Sequence, residues 1–528
     1  GEPTTKPPAG RLPAAWPIRR IAIAASGIVV AAAAAWAAWT WLKPSPALPD
    51  GRVEVMTFAA QGDDPVVAEI AAEVPETLIH VLAGSGVQVA PRPSRPDDGG
   101  GEAELRVGGT VERLGDEVVI NTQVIDRQTG LVLLSGRYVR AARVAQESTS
   151  YVGAILAANL HCALEDRRRE GKPISTEALS LLMNTCAAVF EGAGPFRMLS
   201  VSRRLVQAAP NFGNGHALHA IAAARAGQVA QPGSPEATAL YREAKAAAEK
   251  ALRLNPRAAK AYSGLALNEG VLSDNLRKKN WALQETYVLK ALAIDPELPP
   301  ARNEYAYFLR STGRWREALN LHRAMGESGD ARDARGDQRV PLILAAMGDL
   351  AGAEEQVHWL ETNAGWRFVG LRQTIAFWWE DPRTGLEKLA QLQGPEGLDP
   401  ETLACTQDYL RALVQRAGAP ARGLPPSCRN VDQNWKLRML GRQGDVDGAF
   451  AVLRQGDVPG GWLPFYYPEM RSVRADPRFW DLARDAGLVD YWRTSGKWPD
   501  FCAEPGLTYD CREMARAALS RQSRTVGR

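Results

Sequence analysis

Six cysteines, at positions 162, 186, 405, 428, 502 and 511, are the side chains whose spacing most directly implies chemistry. They fall into three sequence-local pairs, and an even number so arranged points to disulfides formed in an oxidising compartment. Proximity alone predicts bonds joining Cys162 to Cys186, Cys405 to Cys428 and Cys502 to Cys511, although six cysteines allow fifteen full pairings. The last pair, in CAEPGLTYDC, is spaced too widely for a redox CxxC. His216 and His219 stand three apart on an expected helix and share a face, as two metal ligands must, yet no Cys, Asp or third His lies near them in sequence.

Other reactive signatures are absent from the sequence. There is no G-x-x-x-x-G-K-[ST] phosphate loop, no G-x-S-x-G elbow and no H-E-x-x-H helix. Phe377, Trp378 and Trp379 make a dense aromatic cluster of the kind that helical cores use more often than ligands do. Arg167 to Arg169, beside Glu165, Asp166 and Glu170, reads as a solvated charged face. No residue receives a catalytic, cofactor-binding or metal-binding role, and the expectation is a non-enzymatic protein without a cofactor.

The elements that would carry such residues begin with Ile21 to Leu42. These twenty-two residues have no charge and span about 33 Å as a helix, enough to cross a bilayer core. Trp36, Trp39 and Trp41 crowd one end and Trp16 precedes the other, where amphipathic rings favour headgroups. Lys6, Arg11, Arg19 and Arg20 precede the segment and only Lys43 and Arg52 follow closely, so Gly1 is expected in the cytoplasm and the bulk across the membrane. A cleaved signal peptide ending near Ala33 to Ala35 and a buried soluble helix are the competing readings, and Arg19-Arg20 is a weak twin-arginine signal.

The chain has 528 residues, 45% of them hydrophobic, enough for two or three folded units. Its formal charge of +3 comes from the first twenty residues, which hold four bases and one acid, and the remainder is balanced. No nucleic-acid partner is expected from that balance. Residues 1–20, rich in Pro and Ala, are expected to be a disordered cytoplasmic tail. Because the chain opens on Gly rather than Met, a segment upstream is expected.

Residues 50–140 read as a small α/β domain. Arg52 to Phe58 alternates as a strand, Asp64 can cap a helix with Pro65 in its first turn, and Pro75 is expected to kink or split that helix. Val87 to Ala90 is a second strand. Three further strands follow, separated by turns at Gly115-Asp116 and Gln128-Thr129-Gly130. The line VGGTVERLGDEVVINTQVIDRQTGLVLLSGRY, residues 107 to 138, resembles the TolB amino-terminal-like domain found just outside the membrane in many ToxR/CadC-type regulators.

From Val144 the period becomes helical, and residues 144–456 are expected to form helical repeats. LVQAAPNFGNGHA, ALRLNPRAAKAY and ALAIDPELPPAR each end one helix, carry Pro at 210, 256 or 296, and begin another. The line from Asn303, NEYAYFLRSTGRWREALNLHRAMG, resembles a tetratricopeptide repeat, with Tyr305 and Phe308 in its first helix, Gly313 at the turn, and Ala318 and Leu319 in its second. Gly348 and Gly444 mark similar turns. Residues 457–528, including DPRFWDLARDAGLVDYW, are expected to cap the last repeat.

The expected fold is therefore mainly α: one transmembrane helix, a small α/β domain, then an α-helical tetratricopeptide-like solenoid. The resemblances imply a bitopic protein of a bacterial inner membrane, single pass, with its bulk periplasmic and its bilayer contact through Ile21 to Leu42. In this reading it is a signalling or scaffold protein, the sensor half of a transmembrane regulator, whose repeats bind a protein or peptide. Relatives of the ToxR/CadC type carry a DNA-binding domain before the anchor, others a cyclase or TIR domain, so the region preceding this chain would supply transcription regulation or catalysis. A receptor part of such an enzyme and a periplasmic assembly factor are the alternatives.

Overall fold

The structure is a computed structural model describing residues 51–90 apart from 85, 103–141, 145–190, and 194–526 apart from 232–233, 272–278, 328–338, 365–367, 393, 395–396, 417–422 and 456–460. The expected tail 1–20 and the expected anchor Ile21 to Leu42 lie outside the described residues. Among those described, no helix is long and apolar enough to cross a membrane.

Five strands form one sheet: β1 (Val53–Gln61), β2 (Val89–Ala90), β3 (Leu105–Leu114), β4 (Glu117–Asp126) and β5 (Val132–Ala141). Their order is β2-β1-β3-β4-β5. β1 runs parallel to β2 and β3, while β3, β4 and β5 form an antiparallel meander. Val53 and Val55 pair with Leu105 and Val107, and the register then slips so that Phe58 meets Gly109. A Cβ at Gly109 would lie 2.7 Å from the Phe58 ring, so that position has room only for glycine. Helix α1 (Pro65–Gly84) packs on β1 and β3. Of the expected kink or split at Pro75 the split does not occur, since one helix runs through it with Pro75, Val74 and Leu78 buried. Asp64 caps it, accepting from the Val66 N–H at 2.8 Å.

The remainder is helical. In chain order come α2 (Ala145–Glu170), α3 (Thr176–Phe190), α4 (Pro195–Ala208), α5 (Gly213–Val229), α6 (Pro235–Leu254), α7 (Ala259–Val271), α8 (Trp281–Ile294), α9 (Pro299–Ser311), α10 (Trp315–Glu327), α11 (Arg339–Ala346) and α12 (Leu350–Ala364). Then follow α13 (Val369–Trp378), α14 (Pro382–Gln391), α15 (Pro400–Arg416), α16 (Gln433–Arg442) and α17 (Val446–Gln455).

Two turn designs recur. In the first, the N–H groups of Ala209, Asn255 and Asp295 bond back to Leu205, Ala251 and Ala291 at the ends of α4, α6 and α8, with the Pro of each turn next. In the second, Gly313, Gly348 and Gly444 take φ of 81°, 88° and 77°, the left-handed geometry that closes a helix without a Cβ penalty. Alternate helices also touch: α5 packs on α7, and α7 on α9.

One cluster of buried side chains runs from the sheet into the first helices, including Val55, Leu105, Leu160, Leu182 and Leu205. The expected boundary at 140–144 thus crosses a shared core. Arg167, expected on a solvated face, is buried and paired with Glu104; its Nη2 donates to Glu104 Oε2 at 2.6 Å, which ties α2 to the start of β3. A charge removed from water needs such a partner.

The carboxy-terminal region ends in short helices α18 (Arg471–Ala475), α19 (Pro477–Asp485) and α20 (Leu488–Ser495), then α21 (Cys511–Val526). It covers far more than the last helix pair. Its buried rings, Trp462, Phe465, Phe479, Trp480 and Trp492, share a core with Trp281, Phe308 and Trp315. Trp281 Nε1 donates to Ala486 O at 2.9 Å and Trp492 Nε1 to Thr312 O at 3.1 Å.

Candidate functional site

The three disulfides join Cys162 to Cys186, Cys405 to Cys428 and Cys502 to Cys511, with Cα atoms 6.1, 4.7 and 5.8 Å apart. The first links α2 to α3, the second ties α15 to the turn Pro426–Cys428, and the third closes the turn Asp500–Ala503 onto α21. Ligand atoms of Cys162, Asp166 and Cys186 lie within 4.8 Å of one another, a spacing a metal could use. Here both sulfurs are spent in the disulfide, and Lys260 Nζ holds Asp166 Oδ2 at 2.6 Å. Burial pushes the Asp166 carboxyl up from its ordinary range, and Lys260 offsets this only in part. These atoms form a structural knot.

His216 and His219 do not converge on one point. His216 Nε2 donates to Pro210 O at 3.0 Å, bracing the turn before α5. His219 bridges three helices: Nδ1 lies 3.0 Å from Ser202 Oγ on α4, and Nε2 lies 3.0 Å from Glu243 Oε1 on α6. Glu243 is also gripped by Arg203 through bonds of 2.8 and 2.7 Å, which hold its carboxyl below the usual range. A hydroxyl, an imidazole and a carboxylate in line have the order of a nucleophile, base and orienting acid. Ser202 is fully buried, however, and its Oγ donates to Leu199 O at 3.0 Å, so the trio lacks the access that acyl transfer requires. Sequence reading missed it because its members come from three helices, each with ordinary local spacing.

The aromatic run 377–379 is core. Phe377 stacks on Trp435 at 5.1 Å, and the Arg438 guanidinium sits 3.7 Å from Trp378 and 3.9 Å from Tyr467 while bonding Glu469.

A groove of about 290 Å³ crosses α5, α7 and α9. Each helix contributes residues one turn apart: Ile221, Arg225 and Gln228; Ser263 and Leu267; Pro300, Asn303, Glu304 and Tyr307. Glu304 is buried and accepts from Gln284 Nε2 at 2.9 Å, where the missing side chain of Gly270 leaves room. Burial lowers the Arg225 guanidinium from its ordinary value, and the field of Glu304 offsets part of this. One turn past Tyr307, Arg310 lies 5.9 Å from that ring, and its buried Nε has no hydrogen-bond partner among the described residues. Burial, with Arg339 of α11 alongside, lowers Arg310 to about 10. Arg339 Nη1 in turn reaches Asn303 Oδ1 at 3.5 Å. A second hollow, of about 460 Å³, lies beside the Cys405–Cys428 bond, and two of its lining residues are joined by a bond of 2.6 Å from Asn430 Nδ2 to Glu401 Oε1.

No family model matches this chain, and no curated protein matches it. Among solved structures, a dodecamer of a PelC variant from Paraburkholderia phytofirmans shares 22% identity over 22% of this chain and 92% of that one, with a TM-score of 0.17. That likeness assigns neither a fold nor a function to the protein.

Proposed function

We propose that the protein is the partner-binding part of a bitopic inner-membrane signalling or scaffold protein, with α5 onward forming tetratricopeptide-like repeats that bind a protein or peptide. The observation that carries this reading is the groove itself. It is built from α5, α7 and α9, the first helices of three successive pairs, which is how stacked helix pairs make an extended recognition surface. Three disulfides agree with a periplasmic location for the bulk, and the anchor proposed at Ile21 to Leu42 gives the chain its direction. The chain acts by binding and catalyses nothing in this reading.

The test is site-specific photocrosslinking in cells. A photoreactive residue replacing Asn303, exposed in the groove, should trap a partner, whereas one replacing Leu289, exposed on α8, should not. Alkaline phosphatase fused after Arg528 should be active. Equal labelling from both positions would remove the groove from the function, and an inactive fusion would remove the periplasmic placement.

A further inference from the structure

We propose that the groove over α5, α7 and α9 selects an acidic peptide segment, whose carboxylates meet Arg225 at one point and Arg310 with Arg339 at another. This deepens the peptide-binding reading and rests on it. The argument begins with the arginines of other parts of the fold. Arg203 is held by Glu243, Arg314 by Glu285 and Glu317, Arg372 by Glu361, and Arg474 by Glu504. A guanidinium withdrawn from water needs an anion or a set of acceptors in this way. Arg225 and Arg310, both partly buried, and Arg339, which is exposed, are bonded to no carboxylate among the described residues.

Glu304 is the acid among the groove-lining residues, and Gln284 engages it from α8. Arg225 is the cation among those lining residues, and two more flank them, Arg310 beside Tyr307 and Arg339 at Asn303. Their spacing favours a chain over a single small anion. Arg225 feels the field of Glu304, and Arg310 lies six residues further along α9, about 9 Å at 1.5 Å per residue. Carboxylates two or three residues apart on an extended peptide, at about 3.3 Å per residue, cover that distance. Tyr307 lies between the two cationic points and can pack the intervening side chain. Guanidinium–carboxylate bonds are charge-assisted and directional, so the preference should be for acids in particular rather than for polar peptides in general.

The experiment uses the full chain in detergent and fluorescence anisotropy with three labelled probes: acetyl-(Gly-Glu-Ser-Glu)₂-amide, its Gln counterpart and its Lys counterpart. The acidic probe should bind at least tenfold more tightly than the Gln probe and weaken with added salt. Arg225→Gln and Arg310→Gln, each with an unchanged circular-dichroism melt, should lose at least tenfold, while Arg225→Lys, which keeps the charge without the planar fork, should fall between the parent and the Gln variant. Equal binding of the acidic and Gln probes, or Gln variants that bind like the parent, would overturn the charge preference. In that case binding that is still blocked by a bulky label at Asn303 leaves the peptide groove standing. If no probe binds and the label changes nothing, the groove reading falls as well.

Discussion

At the residue scale, burial decides which polar groups are structural and which are open to a ligand. His322, on α10, is 1% exposed and its Nε2 has no hydrogen-bond partner among the described residues. Burial, with Arg310 and Arg339 adding like charge, lowers it from the ordinary 6.5 to about 3. The unfolded chain therefore takes up a proton on this residue between pH 6.5 and about 3 that the folded chain refuses. A depressed value of this kind contributes stability that is present above pH 6.5 and lost as pH falls through that window. Between pH 7 and 5.5 the loss should be about 1.2 kcal/mol. Urea midpoints for the parent and His322→Leu at those two pH values isolate it, because His216 and His219 contribute to both proteins; equal pH slopes would show that His322 is not held neutral. None of this was legible in the sequence, where His322 sits in an ordinary amphipathic helix. The cysteine pairs were legible because partners close in sequence lie on adjoining elements. Arg225 and Arg310 were not, since what distinguishes them is the lack of a carboxylate across three helices.

At the scale of elements, the punctuation between helices could be read directly because a helix end needs particular residues. Gly313, Gly348 and Gly444 were expected at turns and all adopt positive φ, yet they are not equivalent. A Cβ at Gly348 would meet nothing within 4 Å, whereas one at Gly313 would lie 2.4 Å from Pro499 Cβ and 3.1 Å from the Tyr466 ring. Gly348→Ala should therefore cost only the left-handed backbone penalty, about 1 kcal/mol. Gly313→Ala adds a collision with the strap that follows α20, where Asp500 N donates to Gly313 O at 2.8 Å and Arg316 N donates to Asp500 Oδ2 at 2.8 Å. Its cost should be about 3 kcal/mol or more. Thermal melts of the two variants compare them, and equal losses would mean that the strap yields without resistance. The helix through Pro75 shows the opposite limit: local propensity asks for a kink or a split, and the helix is not split where Val74, Pro75 and Leu78 are buried.

At the scale of the molecule, the mainly helical fold and its small sheet followed from the change of hydrophobic period, but the closure did not. A cap on the last repeat is expected; residues 462–518 do pack on the helices of 433–455, and they also reach helices nearly two hundred positions earlier. The join is both apolar and ionic. Trp281 and Phe308 enter the aromatic cluster of Trp480 and Trp492, and Glu285 accepts from Arg314, Tyr491 and Lys497 at 2.7 to 3.1 Å. No sequence period encodes such a contact, because its partners stand nearly two hundred positions apart. Helices α8 and α9 and the carboxy-terminal region should therefore open together, while α5 and α6, whose side chains lie in separate clusters, should open independently. Ending the chain after residue 456 would expose Trp281 and leave Glu285 without Tyr491 and Lys497. Removing one side of a buried charge pair costs about 3 to 5 kcal/mol. Native-state hydrogen exchange on the full and shortened chains should show protection in α8 and α9 falling by about 3 kcal/mol or more, with α5 and α6 changed little. Undiminished protection in α8 and α9 would mean that the array stands without its closing segment, and that the shared aromatic core adds shape but little stability.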